Sequence, residues 1–389
     1  MPVKQSIAEF HGQMTEWRQS IHANPETGYE EERTSDMVAK LLGSFGVEVH
    51  KGMAKTGVVG VLRGKHAIGG TIGLRADMDA LHIAEQTNLP YRSRVEGKMH
   101  ACGHDGHTAM LLGAAKYLAA TRDFSGTVYF IFQPAEEAGA GGKRMIGEGL
   151  FRKFPMDAVY GLHNWPGLPV GAVAARSGAM MAASDVFEIR IVGQGGHAAL
   201  PHQATDPVAA AAQCVIALQS ITSRNTDPLE ALVISVTQFQ GGQTFNIIPE
   251  TVEMRGTARS FDPDLRERIE PMIRRVVEGV CSAHGTTAEM KFHHSYPATI
   301  NHEHETGHAA AAAGRVVGTD NVRGDIKPCM GAEDFAYMLQ EKPGSYIWLG
   351  AGEERAGLHS PYYDFNDEVL PIGASYWAEL VEGQLPTGS

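Results

Sequence analysis

Apolar runs that break off into metal-binding residue types recur four times along this chain. Residues 70–75 lead into Asp77 and Asp79, 126–132 into Glu136 and Glu137, 157–162 into His163, and 346–350 precede His359. Short continuous apolar runs bounded by polar residues read as strands buried on both faces, the kind found in parallel sheets. Open α/β sheets build their sites just beyond the carboxyl ends of such strands. The pattern predicts an α/β domain in which independent strands bring imidazole and carboxylate groups to one rim. Helical periodicity at 4–21 and 30–45, and a helix capped by Asp105 and running through Thr108 to Leu118, supply the covering layer.

A different rhythm occupies 184–294. Strands are expected at 185–192, 231–239, 251–259 and 287–293, with helices at 206–221 and 262–284. The order β-α-β-β-α-β is that of the ferredoxin-like split βαβ motif. The expected organisation is therefore a discontinuous α/β domain, 1–183 and 295–389, interrupted by an inserted ferredoxin-like α+β domain over 184–294. With 389 residues, 43% of them hydrophobic, the chain can support two cores.

Charge narrows the partners. The 33 basic and 45 acidic residues give a formal net charge of −12, so no basic field is available to hold nucleic acid. The opening Met1-Pro2-Val3-Lys4 stretch lacks the apolar core of a signal peptide, and nowhere is there an apolar run long enough to span a bilayer. A cytoplasmic protein independent of membranes is expected. Cys102, Cys214, Cys281 and Cys329 are widely separated, with no Cys-x-x-Cys pair, which argues against a disulfide framework.

Only Cys102 has ligand-like neighbours, in His100-Ala-Cys-Gly-His-Asp-Gly-His107. Cys102 and His104 fall on alternating positions of an expected extended turn; a thiolate can bridge two metal ions and a neutral imidazole can bind one. Adjacent carboxylates such as Glu136-Glu137 normally sit in water, where their repulsion is weak. Beside a metal, one can bind the ion while the other takes a proton from water; we assign Glu137 to the metal and Glu136 to the base. His163 and His359 are further candidate ligands, and His100 and His107 are reserves with a supporting hydrogen-bond role. The Gly193-Gln-Gly-Gly-His197 stretch lacks dinucleotide-loop spacing and can instead expose His197 towards a substrate. Asn246 and Arg259 either hold neighbouring strands or, for Arg259, grip a carboxylate in bidentate fashion.

At these residues the chain resembles the M20 metallopeptidase and amidohydrolase family, in the branch of hippurate hydrolases, N-acyl-amino-acid amidohydrolases and auxin-conjugate hydrolases. The resemblance runs through His22-Ala-Asn-Pro-Glu26, Leu74-Arg-Ala-Asp-Met-Asp-Ala80, His100 to His107, Gln133-Pro-Ala-Glu-Glu137, Gly195-Gly-His-Ala-Ala-Leu-Pro-His202, Met330-Gly-Ala-Glu-Asp-Phe335 and His359-Ser-Pro361. It implies two divalent metal ions, Mn, Zn, Co or Ni, held by Cys102, His104, Glu137, His163 and His359. Glu136 is then the general base and Asp77 the carboxylate that orients the centre. Where related peptidases have His-x-Asp, this chain has Arg75-Ala-Asp77. The resemblance further implies that the inserted domain is a lid and the contact of a homodimer, with His197 reaching the neighbouring subunit's active site to polarise the scissile carbonyl and Asn246 and Arg259 binding substrate. The implied activity is hydrolysis of N-acyl amino acids; an aminopeptidase or dipeptidase, or a metal-binding dimeric scaffold without catalysis, are the other readings.

Overall fold

The structure is a computed structural model describing residues 3–387, so Met1 and Pro2 of the N-terminal stretch lie outside it. The chain opens with helices α1 (His11–His22) and α2 (Glu32–Ser44), strands β1 (Glu48–Met53) and β2 (Gly57–Arg63), and strand β3 (His66–Asp77). Helix α3 (His104–Thr121) and strands β4 (Ser125–Gln133), β5 (Ala158–Pro166) and β6 (Val173–Ala174) follow. Next come β7 (Ala183–Val192), α4 (Pro207–Ser220), β8 (Leu232–Gly241), β9 (Thr251–Ser260), α5 (Pro263–Ala283) and β10 (Thr287–His294). The chain closes with α6 (Glu303–Val317), β11 (Val322–Arg323), β12 (Gly344–Gly352) and α7 (Leu370–Gln384).

Two compact units result. One runs up to Met180 and resumes over Ile300–Lys327 and from Asp334 onwards; the other comprises Met181–Thr299 and Pro328–Glu333. In the first, eight strands form one sheet in the order β1-β2-β4-β3-β5-β12-β6-β11. The four central strands, β4, β3, β5 and β12, are mutually parallel. Their carboxyl ends consequently share one edge, where Asp77 pairs with Gln133 and His163 with Trp348. Burial on both faces explains the unbroken apolar runs: Val128, Phe130, Ile131 and Phe132 of β4 are all fully buried. Helix α3 is enclosed too, packing Met110, Leu111 and Leu118 among Met14 of α1 and Tyr376 and Trp377 of α7.

The second unit is ferredoxin-like. Its antiparallel sheet has the order β8-β9-β7-β10, and α4 and α5 pack on one face. Phe187, Ile189 and Ile191 alternate inward along β7 to meet Cys214 and Leu218 of α4 and Ile269, Ile273 and Val277 of α5. Both helices begin with an Asp cap and a proline in the first turn: Asp206 accepts from Val208 N at 2.8 Å, and Asp262 from Leu265 N at 2.6 Å. No helix among the described residues is long and apolar enough to cross a membrane.

Asp105 departs from its expected role. The residue capping α3 is Gly103, whose φ of 100° starts the helix one residue before Asp105. Asp105, already inside the first turn, is buried and takes His22 Nδ1 at 2.9 Å, while Arg18 Nη1 stands 3.7 Å away. Burial works against an imidazolium at His22, but Asp105 and Glu85 outweigh it and raise the pKa to about 9. Because this lies above the unfolded value near 6.5, the stabilisation is complete below about pH 6.5 and is lost as pH rises through about 9, on the order of 3 kcal/mol. Urea unfolding at pH 6 and pH 9.5 should show that loss in the wild-type chain and a correspondingly smaller one in His22→Gln. Equal losses in both would remove the interaction from the account.

Candidate metal centre

Three backbone devices bring the donors together. At Gly103 a Cβ would stand 2.1 Å from Asn164 Oδ1 and 2.7 Å from Tyr363 OH, so only glycine lets the Cys102 loop enter against these groups. His104 is consequently the first residue of α3 rather than part of an extended turn, with Cys102 in the loop before it. Glu136 and Glu137 occupy a one-turn helix, Glu136–Gly139, between two left-handed alanines, Ala135 (φ 53°) and Ala140 (φ 49°). Each such alanine costs about 1–2 kcal/mol. Specific bonds hold this turn: Ala135 N donates to the buried Glu31 carboxylate at 2.9 Å, and Glu137 N to Asp79 Oδ2 at 3.0 Å. His359 is also left-handed, at φ 63°, and its N–H donates to Ala101 O at 2.8 Å, tying the last loop to the Cys102 segment.

The histidine tautomers follow from their outer bonds. His163 Nδ1 donates to Asn164 O at 2.6 Å, leaving Nε2 facing Cys102 Sγ at 3.3 Å. His104 Nδ1 donates to Asp79 O at 2.8 Å. Its Nε2 is buried without a hydrogen-bond partner, 3.9 Å from the buried Glu137 Oε1. His359 Nε2 approaches that same oxygen at 3.3 Å. Donor atoms of Cys102, His104 and His163 lie within 4.8 Å of one another, as do those of Cys102, Glu137 and His359, and those of His104, Glu136 and Glu137.

Such a cluster asks for a cation. Burial, reinforced by Glu137, Glu136 and Asp77, pushes the Cys102 thiol well above its ordinary value. Burial and the neighbouring His107 keep His163 well below its own, hence neutral. Burial opposes charge on His104 as well, yet Asp77, Asp79 and Glu137 raise its pKa to about 10, so a proton stands where a metal ion would. The unbonded Nε2 of His104, the Glu137 carboxylate, a neutral His163 and a thiol surrounded by carboxylates fit a divalent transition metal with mixed N, O and S ligands.

Asp77 lies behind these donors. Despite burial, His104, Arg75 and His107 hold its carboxyl well below the usual range. Its Oδ1 meets His107 Nδ1 at 2.6 Å and its Oδ2 receives Arg75 Nη1 at 2.6 Å, with His104 Nε2 3.7 Å away. His107 is engaged at both nitrogens, by Asp77 and by Asn164. His100 is buried with neither nitrogen bonded, and burial lowers its pKa to about 4. Glu136 is buried and takes Asp334 N on Oε1 at 3.2 Å.

His197, Asn246 and Arg259 belong to the second unit. Gly196–His197 pairs with Ile247–Ile248, and Asn246 O accepts Ala198 N at 3.1 Å, so His197 and Asn246 share one rim. Arg259 sits on β9 opposite Val233 and Ser184, where burial lowers its pKa. Sequence reasoning missed Asn164, Tyr363 and Glu31, which brace the donors. Only Asn164 carried a signal, as the neighbour of His163 in Gly-Leu-His-Asn-Trp-Pro.

An α/β sheet with a parallel centre, bearing thiol, imidazole and carboxylate groups at the carboxyl edge of that centre and a further buried carboxylate beside them, defines a metal-dependent hydrolase. Residues 73–383 match the Peptidase family M20/M25/M40, and the chain belongs to that family. It is 42% identical over 374 residues to a hippurate hydrolase of Campylobacter jejuni, covering 96% of this chain and 97% of the relative. It is 40% identical to an N-acetylcysteine deacetylase of Bacillus subtilis (95% and 96% covered) and to thermostable carboxypeptidase 1 of Saccharolobus solfataricus (96% and 95%). A dinuclear metal-binding M20 peptidase of Bacillus subtilis superimposes with a TM-score of 0.85 at 36% identity, covering 97% of this chain and 99% of the other.

Proposed function

We propose that this enzyme hydrolyses the amide bond of N-acyl amino acids, releasing a carboxylic acid and a free amino acid, with two divalent ions held by Cys102, His104, Glu137, His163 and His359. The observation carrying the reading is the division between two adjacent carboxylates. Glu137 Oε1 lies between the ring nitrogens of His104 (3.9 Å) and His359 (3.3 Å), whereas Glu136 Oε1 accepts from Asp334 N, which orients it for the role of proton carrier. Bound metal ions supply Lewis acidity, making water nucleophilic at neutral pH and polarising the scissile carbonyl.

The remaining work falls to the chain. Glu136 takes a proton from the attacking water and returns it to the leaving nitrogen. Asp77, fixed by Arg75 and His107, keeps negative charge behind His104. As the family resemblance implies, His197 would reach the active site of the neighbouring subunit in the dimer and donate to the carbonyl oxygen as negative charge develops, while Arg259 pairs with the substrate carboxylate and Asn246 contacts the acyl amino acid. The assembly is a homodimer through the second unit, whose edge strand β8 leaves Phe239 exposed, with Phe245 and Ile247 more exposed still. Light scattering of the purified chain tests this. A cytoplasmic setting keeps the free thiols Cys102, Cys214, Cys281 and Cys329 reduced.

Likeness to a carboxypeptidase makes peptide cleavage the second reading. Steady-state rates on hippurate, N-acetyl amino acids, N-blocked peptides and free dipeptides, with elemental analysis of the purified protein, decide between them. The proposal expects the highest kcat/KM on an N-acyl amino acid and two metal ions per chain. Preference for free dipeptides would overturn it.

A further inference from the structure

Far from the catalytic edge, residues 304–308 read His-Glu-Thr-Gly-His and lie in the first turns of α6 (Glu303–Val317). This helix begins at the amino-terminal end of β12: His302 N donates to Gly344 O at 3.0 Å, and Gly344 N to His302 Nδ1 at 3.1 Å. The donors described above occupy the opposite edge of the sheet. Four-residue spacing on a helix stacks His304 and His308 on one face. Their Nε2 atoms stand 3.2 Å apart, with ring planes at 85°.

That separation is the one a single metal ion imposes on two imidazoles. With metal–nitrogen bonds near 2.0–2.1 Å, adjacent ligands are about 2.9 Å apart in square-planar and about 3.4 Å apart in tetrahedral coordination. His304 also has the outer bond typical of a ligand: its Nδ1 lies 3.1 Å from Glu305 Oε1, which fixes the tautomer with the lone pair on Nε2. Glu305 is largely buried, with 14% of its side chain accessible, whereas His304 is 79% accessible, so the carboxylate is a fixed support and the ring faces water.

The His-Glu-x-x-His spacing is also that of zinc peptidase helices, in which the glutamate is the base. Here Glu305 is committed to its own neighbour, and among the described residues no cluster of three or more donors includes this pair. Two protein ligands leave the rest of the coordination shell to water or an external ligand.

We propose that His304 and His308 form a second metal site on the surface, an exchangeable two-imidazole chelate for late divalent transition ions such as Zn, Ni or Cu. It stands independently of the reading given to the catalytic centre.

Copper(II)–iminodiacetate is the probe, because its ligand leaves adjacent copper positions open for two nitrogens. It is added to the metal-loaded enzyme and followed by electron paramagnetic resonance, with amide hydrolysis monitored in parallel. The wild-type chain should take up one equivalent with a two-nitrogen hyperfine pattern. His304→Ala and His308→Ala should each bind at least tenfold more weakly, with hydrolysis unchanged to show that the fold is intact. Superimposable titrations for the wild type and both variants would overturn the site.

Discussion

Glu136→Gln should retain its metal and its fold yet lose about 10²–10⁴-fold in kcat, the range general acid–base catalysis supplies. The amide keeps the shape of the side chain and can still accept Asp334 N at the position Oε1 occupies, so the surroundings need not rearrange. What disappears is an oxygen basic enough to take a proton. Glu137→Gln provides the contrast, since it neutralises a carboxylate set between His104 and His359 and should lower metal content instead. Elemental analysis and steady-state kinetics on both variants read the two effects separately. A near-normal kcat in Glu136→Gln would remove the base assignment.

The largest effect on stability is expected at Arg75. Its guanidinium is fully buried and binds Asp77 at 2.6 Å, Gln133 at 2.9 Å and Asp334 at 3.0 Å. Arg75→Met preserves the stem but takes the guanidinium charge away from two buried carboxylates, Asp77 and Asp334. Breaking a buried pair in this way costs about 3–5 kcal/mol. Urea unfolding monitored by a signal from the first unit should show that loss, and a change below about 1 kcal/mol would mean that water replaces the guanidinium. Since Asp77 also bonds His107 and faces His104, the same variant should bind metal less tightly.

The sheet's central strands were legible because burial on both faces writes an unbroken apolar run, as in Phe130-Ile-Phe132 of β4. The second unit was legible for the complementary reason: β7 alternates, and Asp206-Pro207 and Asp262-Pro263 announce their helices. β1 escaped notice because Glu48-Val-His-Lys-Gly-Met53 is an exposed edge strand with little apolar content. Asp105 misled because a favourable cap residue stood two places beyond a left-handed glycine, whose conformation sequence does not display. Donors could be proposed from residue type. Supports remote in sequence could not, because Glu31 bonds Ala135 across 104 positions and Tyr363 meets Asn164 across 199.

The placement of β12 beside β5 bears on how the chain is made. Roughly 180 residues, including the whole second unit, separate Pro166 at the end of β5 from Gly344 at the start of β12. At ribosomal rates of about 5–20 residues per second, β5 waits some 10–40 s with one side of its backbone unpaired. An open strand edge invites pairing with other chains, so this interval is when a nascent chain most needs a chaperone. His359 emerges later still. A product truncated after the second unit would carry four of the five donors and an unpaired β5 edge, a combination by which cellular quality control can tell an unfinished enzyme from a complete one.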